Sequence, residues 1–164
     1  MNSHKTTTEK GSAMSARKIY LASSWRNEHQ PSVWSDIAKL GHDVYDFRNP
    51  PNRAGFGWEQ LGVGDGRDED GQVTVRDWRE MIAHPIADEG FLADFTAMCE
   101  ADAFVLLLPC GRSAHLEAGW AIGRGVPTAI YCPEPRTEPE LMVKMASLVT
   151  GSWFELTEWL ERLP

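Results

Sequence analysis

The chain has 164 residues, 42% of them apolar, which is about one domain of sequence and enough to bury a core. Its formal net charge is −8, which disfavours non-specific attachment to nucleic acid or an anionic membrane, although a few arginines and helix amides in one cleft suffice to hold a nucleotide. No stretch approaches the roughly 18 apolar residues of a membrane span.

Residues 1–16 are rich in Thr, Ser, Lys and Gly and lack periodicity, the composition of a disordered tail, so the domain is expected over residues 17–164. Ile19 to Ser23 reads as a first strand, followed by a turn at Ser24, Trp25, Arg26 and Asn27. Gln30 to Leu40 has helical spacing through Val33, Trp34, Ile37 and Leu40, and Gly41 stops it. Asp43 to Phe47 alternates as a second strand. From Arg48 to Arg76 the chain reads as a long loop, the kind that in a compact domain is functional or mobile. Its acidic run, Asp65, Asp68, Glu69 and Asp70, fails the calcium-loop spacing because Gly66 occupies the first ligand position. Trp78 to His84 is a short helix ended by Pro85, and Ala87 to Ala101 a longer one with Phe91, Phe95 and Met98 as its core stripe and Asp94 in its middle.

Ala103 to Leu108 suits a strand buried on both faces. A turn, Cys110-Gly111-Arg112-Ser113, leads into a helix over Ala114 to Gly123 that places Glu117 in its first turn. There the acid has two readings, a catalytic carboxylate or a complement to the helix dipole. Thr128 to Cys132 is a fourth strand, Pro139 to Ala146 a short helix around Leu141, Met142 and Met145, Ser147 to Thr150 a last short strand, and Phe154 to Leu163 a closing helix. Alternating strands and helices without a repeat or linker predict a single-domain α/β fold: a doubly wound, flavodoxin-like parallel sheet of about five strands flanked by helices.

Several chemistries are excluded by what the spacing lacks. There is no G-x-x-x-x-G-K-[ST] phosphate loop, no G-x-G-x-x-G after the first strand, and no G-x-S-x-G elbow. His115 and Glu117 form an H-x-E, but the P-C-x-x-C of a zinc deaminase does not follow it. Cys99, Cys110 and Cys132 make no C-x-x-C pair, which indicates neither a disulfide framework nor a zinc site and suits a reducing cytoplasm.

Taken together, Ile19 to Ser23, Asp94, Ala101-Asp102-Ala103 and His115-Leu116-Glu117-Ala118-Gly119-Trp120-Ala121 resemble the nucleoside 2-deoxyribosyltransferase superfamily. The last segment is most similar to the nucleotide N-glycosidase branch, the cytidine-monophosphate hydrolases. The resemblance covers residues 17–160 and is loosest between 48 and 76. It implies that Glu117 is the nucleophile at the anomeric carbon, Asp94 the acid on the nucleobase side, and Tyr20 the group that orients the nucleophile. It also implies a homodimer or larger homo-oligomer and no metal or organic cofactor.

One position departs from the pattern. Six residues before the glutamate, where deoxyribosyltransferases carry an aspartate for the sugar hydroxyls, this chain has Gly111. Arg112 and Ser113 follow it at a helix N-terminus, where a 5′-phosphate meets amides, a hydroxyl and a guanidinium, so the expected substrate shifts from a nucleoside toward a nucleotide. Ser23, Ser24 and Arg26 after the first strand, together with His115, are further candidates for that pocket. Trp25, Phe47, Phe56 and Trp58 are candidate stacking partners for a planar base, and Asp46 and Arg48 candidate edge contacts. The alternatives are a deoxyribosyltransferase acting on free nucleosides and a module that senses nucleotides without turnover.

Overall fold

Apolar runs and helical stripes alternate along the chain, and the computed structural model, which describes residues 15–61 and 72–163, converts them into strands and helices in the same order. These are β1 (Lys18–Ala22), α1 (Gln30–Lys39), β2 (Asp43–Tyr45), a 3-10 helix (Trp58–Leu61), α2 (Val75–Ile82) and α3 (Pro85–Glu100). They are followed by β3 (Ala103–Leu107), α4 (Arg112–Gly123), β4 (Thr128–Tyr131), a 3-10 turn (Leu141–Met145), β5 (Leu148–Thr150) and α5 (Trp153–Glu161). Nearly all of the expected tail, and the acidic run at 65–70, lie outside the described residues. No described helix is long and apolar enough to cross a membrane.

The five strands form one parallel sheet in the order β2-β1-β3-β4-β5. This is the doubly wound arrangement expected from the sequence. The strand order reverses between β1 and β3, so the loops leaving their C-terminal ends flank the crevice where ligands of such sheets bind.

Each strand supplies alternate residues to two cores. Ile19, Leu21, Val105 and Leu107 meet Val33 and Ile37 of α1 and Leu156 and Leu160 of α5. On the opposite face, Tyr20, Ala22, Phe104, Leu106 and Ile130 meet Met98 of α3 and Ala114, Ala118 and Ala121 of α4. All five residues of β3 are buried, as expected of a central strand covered on both sides. The three alanines of α4 recur at helical spacing and keep its inner face thin, which brings the rest of that helix close to the sheet.

Several expectations are corrected. β2 ends at Tyr45, so Phe47 lies in a turn rather than a strand. Pro85 does not end a helix but opens α3, where a missing N–H costs nothing, and His84 Nδ1 caps the helix by accepting from the Ile86 amide at 3.2 Å. α2 likewise starts early, because the Thr74 hydroxyl accepts from the Asp77 amide at 3.1 Å.

The predicted core stripe of α3 holds at Met98, which is buried, and at Phe95, which packs against the core, but fails at Phe91. Gly90 and Met98 face inward, while Phe91 and Leu92 are 65% and 63% exposed. Phe56 explains the difference, since it occupies the space a side chain at Gly90 would need: a Cβ there would lie 2.8 Å from the Phe56 Cβ and Cγ. Leu141, Met142 and Met145 are exposed and belong to no core. α4 begins at Arg112, two residues before its predicted start, which moves Glu117 from the first turn to the second. A helix dipole is felt within the first turn, so dipole compensation no longer accounts for this acid.

Candidate active site

Tyr20, Asp94 and Glu117 come from three elements and meet on one face of the sheet. Tyr20 is a buried residue of β1 that points toward α3 and α4 because its strand neighbours Ile19 and Leu21 fill the other core. Its ring stacks on Phe104 at 4.8 Å and on Tyr45 at 5.3 Å, the two residues paired with it across β3 and β2. Glu117 stands beside the alanine stripe of α4, half-buried, with the Tyr20 hydroxyl near enough to act on its carboxylate. Asp94, half-buried in the middle of α3, accepts a hydrogen bond of 2.8 Å from the Tyr45 hydroxyl.

The electrostatics of the two acids differ in cause. Burial raises the Glu117 carboxyl to about 7, the charge of Asp94 adds to the rise, and the Tyr20 hydroxyl opposes it. Asp94 is also raised by burial, but the Tyr45 hydrogen bond and the positive charge of Arg53 pull it back. Two neighbouring carboxyls held apart by different partners is the arrangement that lets one act as an acid and the other as a base or nucleophile. Tyr20 itself is pushed far above the ordinary phenol range by burial and by the Glu117 and Asp94 charges, so it remains a donor.

The thiol of Cys110 lies nearby and is pushed up to about 12 by burial and by Glu117, so it stays protonated and is no nucleophile. His115 is exposed, and its Nδ1 lies 3.0 Å from the Gly111 carbonyl. A carbonyl only accepts, so the His115 proton sits on Nδ1, and the Cys110 sulfur 3.5 Å away shares that contact as an acceptor. Gly111 caps α4 in extended backbone without a side-chain bond, and Arg112 and Ser113 are exposed in the first turn. Among the described residues no three His, Cys, Asp or Glu side chains converge as a metal-ligand set.

The β1–α1 loop is fixed from within. Ser23 Oγ donates to the Leu107 carbonyl at 3.1 Å, and buried Asn27 donates from Nδ2 to the Leu107 and Pro109 carbonyls at 3.4 and 3.0 Å. These bonds join the two loops at the strand-order reversal, so Ser23 holds the scaffold. One terminal nitrogen of Arg48 donates to the carbonyls of Ser24, Trp25 and Asn27 at 3.1, 2.9 and 2.9 Å. Its guanidinium lies 5.9 Å from both the Trp25 and the Phe47 rings, which meet edge-on at 5.6 Å. Ser24 Oγ accepts from the Arg26 amide at 3.2 Å, and Arg26 is exposed.

Phe47, Arg48 and Asp46 are thus engaged in the loop framework: Asp46 binds Gln30 and Asn49 side chains and the Arg48 amide. Trp25 is still 53% exposed. Phe56 and Trp58 pack edge-on at 5.1 Å, with Phe56 on Gly90 of α3. A groove of about 700 Å³ runs along the outer edge of β2 and the facing side of α3, reaching Tyr45 and Arg53 but not Glu117.

Tyr45, Arg53 and Asn27 are absent from the sequence-based site. Tyr45 was within reach: in a 2-1-3 sheet its place in β2 is in register with Tyr20 in β1. Nothing in the order of residues signals Arg53, which acts on Asp94 and Tyr45 from an irregular loop.

No protein-family model matches the chain, and no curated protein matches it either. Solved structures do. A 2-deoxyribosyltransferase of Bacillus psychrosaccharolyticus superposes with a TM-score of 0.55 at 20% identity, over 84% of this chain and 88% of that one. A conserved protein of Enterococcus faecalis V583 gives 0.55 at 17% identity, over 90% and 99%. A CMP N-glycosidase of Clostridium botulinum gives 0.45 at 15% identity, over 88% and 96%. The parallel five-stranded α/β architecture of this chain is therefore that of a 2-deoxyribosyltransferase, which at the level of fold agrees with the resemblance carried by Tyr20, Asp94 and the Glu117 helix.

Proposed function

We propose that the chain is an enzyme that cleaves the N-glycosidic bond of a nucleoside 5′-monophosphate. The observation that carries this reading is the pair of half-buried carboxyls, Glu117 and Asp94, each beside its own tyrosine near the strand-order reversal. A carboxylate oxygen of Glu117 attacks the anomeric carbon as the carbon–nitrogen pair leaves with the base, and Asp94 gives that base its proton. The product is a glycosyl ester on Glu117. Water then attacks the same carbon and returns a proton to Asp94, which frees the sugar phosphate and restores both acids.

Arg112, Ser113 and the open amides of α4 favour a phosphate at the 5′ end, and Arg26 adds a second exposed cation. Trp25 is the aromatic that retains an exposed face for a base. Water as the acceptor makes the chain a hydrolase, and a second base in its place makes it a transferase. The three cysteines are free, which suits a cytoplasmic protein. Phe91, Leu92 and Leu116 are exposed on α3 and α4, the helices that carry the two acids, and self-association through these exposed apolar residues is the expected route to a homo-oligomer.

Purified protein is incubated with nucleosides, their 5′-monophosphates and NAD, and free base is measured. Monophosphates are expected to release base, Glu117→Ala to abolish the release, and Arg112→Ala to weaken only phosphorylated substrates. Base release that survives Glu117→Ala overturns the mechanism. Equal loss on free nucleosides in Arg112→Ala overturns the phosphate assignment, and binding without release identifies a sensor. Light scattering after size exclusion reads the oligomeric state.

A further inference from the structure

We infer that Tyr45 is a positioning residue for the acid on the base side: its hydroxyl holds the Asp94 carboxyl while its ring, stacked on Tyr20, sets that acid in place relative to Glu117. The inference rests on the function proposed above for Asp94 and Glu117, but its geometry does not.

The Tyr45 hydroxyl donates to Asp94 Oδ1 at 2.8 Å, a bond that joins β2 to α3 across 49 residues of sequence. An aspartate has only two side-chain torsions, the second of them broad, so one short bond is enough to fix which way its carboxyl faces. The donor is itself rigid. Tyr45 pairs with Tyr20 in the parallel register, and the two rings stack at 5.3 Å with their planes 14° apart. Tyr20 is held in turn by Phe104 at 4.8 Å. A chain of three stacked rings therefore runs from β2 to β3, and the hydroxyls of its first two members reach different acids.

The groups that face Asp94 are Tyr45 from β2, Arg53 from the loop after it, Tyr20 from β1 and Glu117 from α4. Tyr45 stabilises the charged form of Asp94, and the Asp94 charge raises Glu117. Removal of one hydroxyl is therefore felt at both acids, in opposite directions. Burial and the Asp94 charge keep the Tyr45 phenol above its ordinary range, so it serves as a donor at all working pH values.

The test is Tyr45→Phe, which keeps the ring and its stack. Carboxyl carbon-13 resonances of the full chain are titrated by NMR, with Asp94→Asn and Glu117→Gln used for assignment. The Asp94 midpoint is expected to move up and the Glu117 midpoint down. In base-release assays, both limbs of the pH profile shift and the plateau falls by roughly 10-fold or more. A packing role alone lowers the plateau and leaves both limbs in place. Unmoved midpoints in a variant that melts like the parent overturn the inference. Moved midpoints in a chain that releases no base uphold it and overturn the proposed reaction instead. If Tyr45→Phe melts early, 3-fluorotyrosine at position 45 replaces it: its fluorine resonance follows the Asp94 titration in the parent chain and is flat in Asp94→Asn, and a flat response in both overturns the inference.

Discussion

Tyr20 and Tyr45 stand opposite one another in the register of β1 and β2, with rings stacked at 5.3 Å, and each serves a different carboxyl. The register follows from two strands whose alternate residues must face the same core, since a one-residue slip turns every side chain to the other face. A property of sheet pairing thus sets how far apart two acids sit.

The first prediction concerns the rate–pH profile. Glu117 has to be ionised to attack, and its carboxyl is raised to about 7, so one limb of the rate–pH profile should fall near that pH. Asp94 has to hold a proton for the base at the same time, so the profile is a bell set jointly by the two coupled carboxyls. Tyr20→Phe removes the hydroxyl that lowers Glu117, so the limb set by Glu117 should move to higher pH, opposite to Tyr45→Phe, with a rate loss of about 10- to 100-fold at neutral pH. Initial rates of base release across pH 5 to 9 check both shifts.

A second prediction follows for stability. The unfolded Glu117 titrates near the ordinary value of 4.5 and the folded one near 7, so the folded state holds the extra proton between those values. Stability conferred by the protonated form is complete below about 4.5 and is lost as the pH rises through 7. Glu117→Gln keeps the shape and removes the charge, and should stabilise the chain at pH 8 by on the order of 2 kcal/mol while changing little at pH 4. Paired thermal melts at the two pH values measure the difference, and an equal effect at both would contradict a buried charge as its source.

Much of this was legible in the sequence, for physical reasons that differ by element. β3 was plain because a strand covered on both faces is continuously apolar from Ala103 to Leu107. Tyr20, Asp94 and Glu117 were singled out through a resemblance, and Glu117 also by its place near the start of the helix after that strand. On α3, Phe95 and Met98 pack as the spacing predicts, but that spacing alone also made Phe91 a core residue. The Phe56 ring, more than 30 residues earlier, instead takes the space beside Gly90 and leaves Phe91 out. Arg48 was read as a contact for a base, since no sequence pattern announces three backbone carbonyls converging on one guanidinium.

Those carbonyls give a third prediction. Arg48→Ala leaves three acceptors of the β1–α1 loop without their shared donor and removes a cation from beside two rings. The expected cost is about 1–3 kcal/mol in denaturant unfolding, with Arg48→Lys recovering part of it because an ammonium donates but does not stack flat on an aromatic ring. Trp25 should become more accessible to acrylamide quenching in the alanine variant, since its carbonyl and its ring are both held by that side chain. An unchanged quenching constant would show that the loop keeps its shape without Arg48.

The last prediction tests how closely the loop after β2 returns on itself. At Gly55 the backbone passes the Arg48 and Phe47 carbonyls and the Trp25 ring, and the Gly55 amide donates to the Arg48 carbonyl at 3.2 Å. A Cβ at this position would lie 2.6 Å from the Arg48 oxygen, 2.7 Å from the Phe47 oxygen and 2.8 Å from Trp25 Cη2. Two of those three atoms are backbone and cannot rotate aside, so Gly55→Ala has to displace the loop itself. Forced overpacking of this kind costs about 1–3 kcal/mol. Gly119→Ala, where nothing lies within 4 Å of the added methyl and the helical site favours alanine, is the matched control and should be neutral or slightly stabilising. Because Gly55 binds Arg48, which binds Trp25, the Gly55→Ala change should also loosen Trp25 in the quenching assay. A variant that loses stability with Trp25 unaffected would place the strain on the Phe47 side of the turn.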